Sequence, residues 1–302
     1  MNLYILKSNM IYYVCNCPNN IVIPINDIQA VKYYKDNKLI KLYNKKYIAN
    51  SQNISNGDNT IIPNKFPIIV RPKVNLYGMG KDAYFIQNLH NFNIPPKFFW
   101  CEVFRGNHIS VDIFFNNNKI QHYIAFRGEQ GKLFTFEYWE YLKNYKISSK
   151  IEKWVYKNLN SFCGVFNIEL IDDNIIECHL RMGDLNYFQN EELINCVINC
   201  YQNKKFDIPK LPQIYLLPIF VDKGKYIRLA EEEIFGYVRE SNTYEYVLNY
   251  FIDPPPDKNS NPAGGDRICN FTITNLEKGF ILRDYKVSFH ILLNFQNFPL
   301  KV

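Results

Sequence analysis

The sequence contains no apolar run of 18 residues, so it carries no membrane-spanning helix signal. Its net charge of +6 is spread along 302 residues without a basic block, which argues against a nucleic-acid-binding tail. It has no G-x-x-x-x-G-K-[ST] segment and no strand followed by G-x-G-x-x-G and a helix. That excludes a P-loop domain and a dinucleotide-binding domain of the usual kind. The eight cysteines, at 15, 17, 101, 163, 178, 196, 200 and 269, include no C-x2-C knuckle, so a zinc ribbon is excluded. They read as buried free thiols. The five histidines form neither H-x3-H nor H-E-x-x-H, and no internal repeat is evident. The first residues, MNLYILKSNMIYYVCNC, lack a basic leader and a small-residue cleavage site. They read as a first strand of a cytoplasmic protein.

What is present is an ordinary globular balance, 47% hydrophobic and 21% charged, with an unusual load of 23 Tyr and 23 Phe. Abundant Lys, Asn, Ile and Tyr fit an AT-rich coding sequence. A helix start falls at Asn26-Asp27, and apolar positions 39, 40, 42, 43 and 47 predict a helix over 38–49. FPIIVRP (66–72), FFWCEVF (98–104), HISVDIFF (108–115) and IQHYIAF (120–126) read as strands. The stretch FRGEQGKLFTFEYW (126–139), with two glycines, reads as a mobile loop. Helical spacing returns at Ile151, Trp154, Val155 and Leu159, and again from Leu193 to Tyr201. After Pro209 the chain turns to proline-punctuated strands, with a helix expected near 241–252 and two strands at the end. The sum is an α+β protein with a short N-terminal segment over 1–64, a central region over 65–205 and a β-rich C-terminal extension over 206–302.

Three stretches carry chemistry. In FNIELIDDNIIECHLRMGDL (166–185) two strands flank Asp172-Asp173, and residues 177, 179 and 181 share one face. A three-residue turn, 172–174, sets Glu169 opposite Glu177. It gathers Glu169, Glu177, His179 and Arg181 on one face and leaves Ile168, Leu170, Ile176, Cys178 and Leu180 for the other. A two-residue turn shifts the register and splits the carboxylates across the sheet. Two adjacent carboxylates repel unless a cation lies between them. Read alone, the stretch also suits a solvated face whose Glu and Arg simply pair. In FPIIVRPKVNLYGMGKD, a strand delivers Arg71 and Lys73 to a loop with Gly78 and Gly80, which suits a polyphosphate. In FFWCEVFRGNHISVD, Glu102 ends an apolar strand, and His108, Ser110 and Asp112 alternate onto one face.

In this order, over residues 30–200, the three stretches resemble the ATP-grasp superfamily, particularly its biotin carboxylase and carbamoyl phosphate synthetase branch. The resemblance implies two α+β lobes around a nucleotide cleft. It implies that Arg71 and, upstream, Lys38 reach nucleotide phosphates, with Lys73 expected beside Arg71 at the strand end. Gly78 and Gly80 match the lid loop, Glu102 the hinge beside the adenine, and His108 the ribose contact. Glu169 and Glu177 match the metal carboxylates. His179 stands where the family has Asn, and an imidazole suits Mn²⁺ where Mg²⁺ prefers oxygen. Arg181 matches the phosphate- or substrate-binding Arg of the family, and Arg267, after Gly264-Gly265, is expected at the rim of the active site.

The activity implied is an ATP-dependent ligase that forms an acyl phosphate on a carboxylate and joins it to an amine or other nucleophile. Its ligands would be ATP and Mg²⁺ or Mn²⁺, and its partner a small carboxylate-bearing substrate, with no nucleic acid and no membrane. A homodimeric state stays open. The alternative is a catalytically inactive ATP-grasp-fold structural or interaction protein, such as a viral component in a virion or host cytoplasm.

Overall fold

Alternating apolar and polar residues between 108 and 179 fold as the middle of a long antiparallel sheet. The computed structural model describes residues 4–6, 13–15, 22–24, 26–78, 80–132, 134–183, 191–221, 246–252 and 266–283. Strands β1 (Tyr4–Leu6) and β2 (Tyr13–Cys15) pair with each other. Three short helices follow: α1 (Asp27–Tyr33), α2 (Asn37–Ile40) and α3 (Lys45–Ser51). Next come β3 (Asn56–Gly57), β4 (Ile68–Pro72), β5 (Tyr84–Ile86) and β6 (Phe98–Glu102). The central part holds β7 (His108–Asn116), β8 (Lys119–Gln130), β9 (Phe136–Tyr141), α4 (Ser149–Asn158), β10 (Gly164–Ile171), β11 (Asn174–His179) and α5 (Glu191–Tyr201). The C-terminal part contributes β12 (Tyr215–Val221), β13 (Val247–Ile252), β14 (Asp266–Ile273) and α6 (Leu276–Ile281).

Two sheets result. The small one has the order β3-β6-β4-β5. The large one has eight strands in the order β11-β10-β7-β8-β9-β12-β14-β13, antiparallel throughout. Strand β12 pairs with β9, so the sheet runs unbroken across residues 205–206.

One face of the large sheet is covered by α1–α4. There Val111, Ile113, Phe166, Ile168 and Leu170 pack against Leu39, Leu42, Trp154 and Val155. Helix α4 follows its apolar spacing: Ile151, Trp154 and Val155 are buried, and Ser148 caps it by accepting from the Ile151 amide. On the opposite face, Phe114, Ile124, Phe126 and Val165 pack under Leu193 and Val197 of α5. The rest of that second face is left open toward the small sheet.

Several expectations change. The helix over 38–49 is broken into α2, a 3₁₀ turn over Lys41–Tyr43 and α3, because Asp36 and Asn44 each cap a new start. Asn44 accepts from Tyr47 N at 3.1 Å, a local bond that competes with helix continuation. Most of the stretch 126–139 belongs to a hairpin, with β8 running to Gln130 and β9 starting at Phe136. Residues 247–252, within the expected helix, form strand β13, and α6 stands where a final strand was expected. Gly264-Gly265 and the C-terminal strand expected beyond 283 lie outside the described residues.

Candidate active site

The floor of the open face is the β10–β11 hairpin. Its turn has two residues, Asp172 and Asp173, both with positive φ (45° and 59°), the conformation of a tight hairpin turn. Continued without irregularity, this register would set Ile168 opposite Glu177 and drive Glu177 into the apolar core. A β-bulge prevents that. Leu170 pairs with Ile175, but Glu169 pairs with Glu177, so Ile176 is the extra residue. Ile175 enters the core, Ile176 lines the open side, and Glu169, Glu177, His179 and Arg181 line it too. The expected face is therefore formed, by a two-residue turn plus a bulge rather than by a three-residue turn.

Glu169, Glu177 and His179 each offer a ligand atom, all within 4.8 Å of one another. His179 Nε2 lies 3.4 Å from Glu177 Oε2 and 3.9 Å from Glu169 Oε1. Its Nδ1 faces Asp27 Oδ2 at 3.0 Å. Arg181 donates through Nε to Asp27 Oδ1 (2.9 Å) and through Nη2 to Oδ2 (2.8 Å). Glu177 is paired with Lys45, and Arg71 Nη1 is 4.0 Å away. His108 Nε2 bonds to Glu169 Oε2 at 3.0 Å, its ring edge-on to Phe136 and Trp139.

These contacts set the charges. Burial disfavours charge on His179, but the Asp27 carboxylate and the bond to Glu177 outweigh it and push the imidazole up to about 10. Burial also works against ionised Glu177, yet Lys45, His179 and Arg71 hold its carboxyl well below the usual range. Burial opposes charge on Asp27 in the same way, and His179 and Arg181 overcome it and hold this carboxyl down as well.

Above the floor lies a cavity of about 540 Å³ between the two sheets. One wall is the small sheet, with Ile69, Arg71, Phe85 and Cys101. Residues 103–107 connect β6 of the small sheet to β7 of the large one. Gly106 has φ +151°, and a Cβ there would lie 1.8 Å from Asp172 Oδ2, so this connection packs against the hairpin turn only as glycine. Loop 75–83 is self-braced: Asn75 Nδ2 donates to Gly78 O, and Asn75 Oδ1 accepts from Tyr77 N. Gly80, at φ +58°, sits under Phe134, whose ring stacks on Phe85 with centroids 5.5 Å apart. This stack joins the β5 edge of the small sheet to the β8–β9 tip.

Of the sequence-predicted residues, Arg71, Gly78, Gly80, Glu102, His108, Glu169, Glu177, His179, Arg181 and Arg267 line this cavity. Arg267 comes from β14. Two residues do not. Lys38 is exposed on α2, because Leu39 is the residue that α2 turns into the core. Lys73 is turned to Asp58, with Nζ 2.9 Å from Oδ1. The cation on the floor is instead Lys45, 5% exposed, at the start of α3. Sequence reasoning missed it and Asp27. Both share a helix face with apolar residues, Lys45 with Ile48 and Ala49, Asp27 with Ala30 and Val31. A charge at i with apolar i+3 and i+4 is the signal that was available.

Comparison with solved structures gives the architecture a name. L-amino acid ligase from Bacillus licheniformis superposes with a TM-score of 0.55 at 11% identity, covering 82% of this chain and 70% of that one. N5-carboxyaminoimidazole synthase from Aspergillus clavatus, in complex with ADP and 5-aminoimidazole ribonucleotide, gives 0.53 at 12% identity, covering 87% and 78%. The Staphylococcus aureus synthetase complexed with ADP gives 0.53 at 14%, covering 80% and 71%. The chain has the ATP-grasp fold. No protein-family model and no curated protein matches its sequence.

The ATP-grasp fold implies a divalent cation, and the residues present fit one. Two carboxylates meet across adjacent strands, and a histidine held through Nδ1 by a buried acid turns Nε2 toward both. That is how proteins orient a metal-binding imidazole.

Proposed function

We propose that the protein is an ATP-dependent ligase acting on a carboxylate substrate. The observation that carries this reading is the meeting of Glu169, Glu177 and His179 with Lys45 and Arg71 at the floor of a cavity of about 540 Å³. Acids alone suit a cation, and cations alone suit a phosphate. Their interleaving suits a polyphosphate carried with a divalent ion, since Mg²⁺ and its relatives are held by one or two carboxylates plus substrate phosphates.

In this account Glu169, Glu177 and His179 hold the ion, which neutralises charge on the phosphate oxygens when bound. Lys45 and Arg71 move from Glu177 toward the terminal phosphates and stabilise the charge that develops there. A substrate carboxylate oxygen attacks the γ-phosphorus, and the bond to the β-phosphate oxygen breaks. An acyl phosphate and ADP result. An amine then attacks the acyl carbon, phosphate leaves, and the amine proton passes to solvent. Arg267 at the rim binds the substrate carboxylate. The stack of Phe85 on Phe134 covers this side of the cavity and keeps water from the intermediate.

ADP release across a panel of carboxylates, each with and without amines, tests this. Release that requires both co-substrates, together with an amide product, is the expected result. Release with a carboxylate alone would make the protein a kinase. No release with any pair would remove the enzymatic reading.

One observation favours a second reading. Lys45 is already paired with Glu177, and Asp27 with His179 and Arg181, so these two carboxylates have cationic partners without ligands. A site closed in this way suits an ATP-grasp fold retained as a structural or interaction protein. Its signature is the absence of both nucleotide binding and turnover.

A further inference from the structure

Asp27 has no part in the reaction above, yet it organises the site from beneath. It is 2% exposed, and its two oxygens take two bonds from Arg181 and face His179 Nδ1. A buried ion-pair cluster is a poor route to stability, because apolar residues of similar volume do as well. What it supplies is orientation. With Nδ1 fixed on Asp27, the imidazole cannot flip, and Nε2 faces Glu177 and Glu169. The acid comes from α1, whereas both groups it orients come from the end of the hairpin, so the N-terminal helix completes the site.

We propose that Asp27 is a positioning residue that, through His179, makes Glu169 and Glu177 part of a two-oxygen, one-nitrogen site with a preference for Mn²⁺ over Mg²⁺. The proposal rests on the nucleotide–metal reading of the cleft. Mg²⁺ is served by oxygen and gains little from a nitrogen ligand, whereas imidazole suits later divalent ions. On ligation the Nε2 lone pair binds the cation and the Nε2 proton leaves to solvent.

The test uses the full chain with ADP. Mn²⁺ binding is followed by the EPR signal of the free ion, and Mg²⁺ by competition. The wild type is expected to favour Mn²⁺ and to show ¹⁴N coupling to bound Mn²⁺ in pulsed EPR. Asp27→Asn is expected to lose about 10–100-fold in Mn²⁺ affinity, the usual effect of removing an acid behind a metal-bound histidine. Its Mg²⁺ affinity should change far less, so the preference collapses, which a general loss of stability would not produce. His179→Asn should lose the ¹⁴N coupling and the same preference, which keeps the test open if Asp27→Asn does not fold. An unchanged Mn²⁺-to-Mg²⁺ ratio in Asp27→Asn, or no nitrogen coupling in the wild type, overturns the role of Asp27. No cation-dependent ADP binding in the wild type overturns the nucleotide reading, and this proposal with it.

Discussion

The two faces of one hairpin, β10–β11, are held in place by different physics. On the covered face, Ile168, Leu170, Ile175, Cys178 and Leu180 are each at most 2% exposed. Their contribution is spread over many neighbours, and it scales with area removed from water. On the cleft face, Asn167, Glu169, Glu177, His179 and Arg181 are held by specific partners. Asn167 donates to Ser110 and Asp112, and the others depend on Asp27, Lys45 and His108. An apolar face loses stability in proportion to what is removed. A buried polar face loses more when a single partner goes, because the other charge stays behind.

Substitutions on the two faces test this contrast. Arg181→Met leaves Asp27 buried with one partner fewer. It should cost roughly 3–5 kcal/mol in urea unfolding. Adding Asp27→Leu should return much of that loss, and a double variant no better than the single would break the comparison. Ile168→Ala should cost about 2–5 kcal/mol by transfer and cavity terms. Its nucleotide response at a temperature where it is folded should match the wild type. Gly106→Ala strains a backbone at φ +151° and crowds Asp172, so a loss of roughly 1–3 kcal/mol is expected in thermal unfolding. Arg127→Ala removes an ion pair with Glu140 on the exposed part of the same sheet, where the Arg127 side chain is 44% exposed. It should cost only about 0.2–1 kcal/mol, and less in high salt. A larger loss there would show that burial is not what separates the cases.

The faces themselves were legible because alternation is local. Residues 177, 179 and 181 share a side whatever the turn does. The pairing of Glu169 with Glu177 was reached by a different route from the one expected. Alternation cannot reveal a bulge, which depends on how Ile175 and Ile176 divide between core and cleft. Lys38 and Lys73 lie away from the cavity lining for a related reason. A lysine's reach is set by the direction its helix or strand end gives it, and caps at Asp36 and Asn44 broke the expected single helix. Asp27 carried a local sign of burial, but its partners, His179 and Arg181, lie more than 150 positions away. Only the three-dimensional packing of α1 against the end of β11 joins them.

The central claim is that this cleft binds a nucleotide together with a divalent cation. Thermal unfolding with a non-hydrolysable ATP analogue, run with no added metal, with Mg²⁺ and with Mn²⁺, tests it most directly. At 100 times its dissociation constant the analogue should add about 2.7 kcal/mol to the wild type. Glu177→Gln should keep only the part that does not depend on metal. An analogue that leaves the unfolding transition unmoved with either ion would contradict the account.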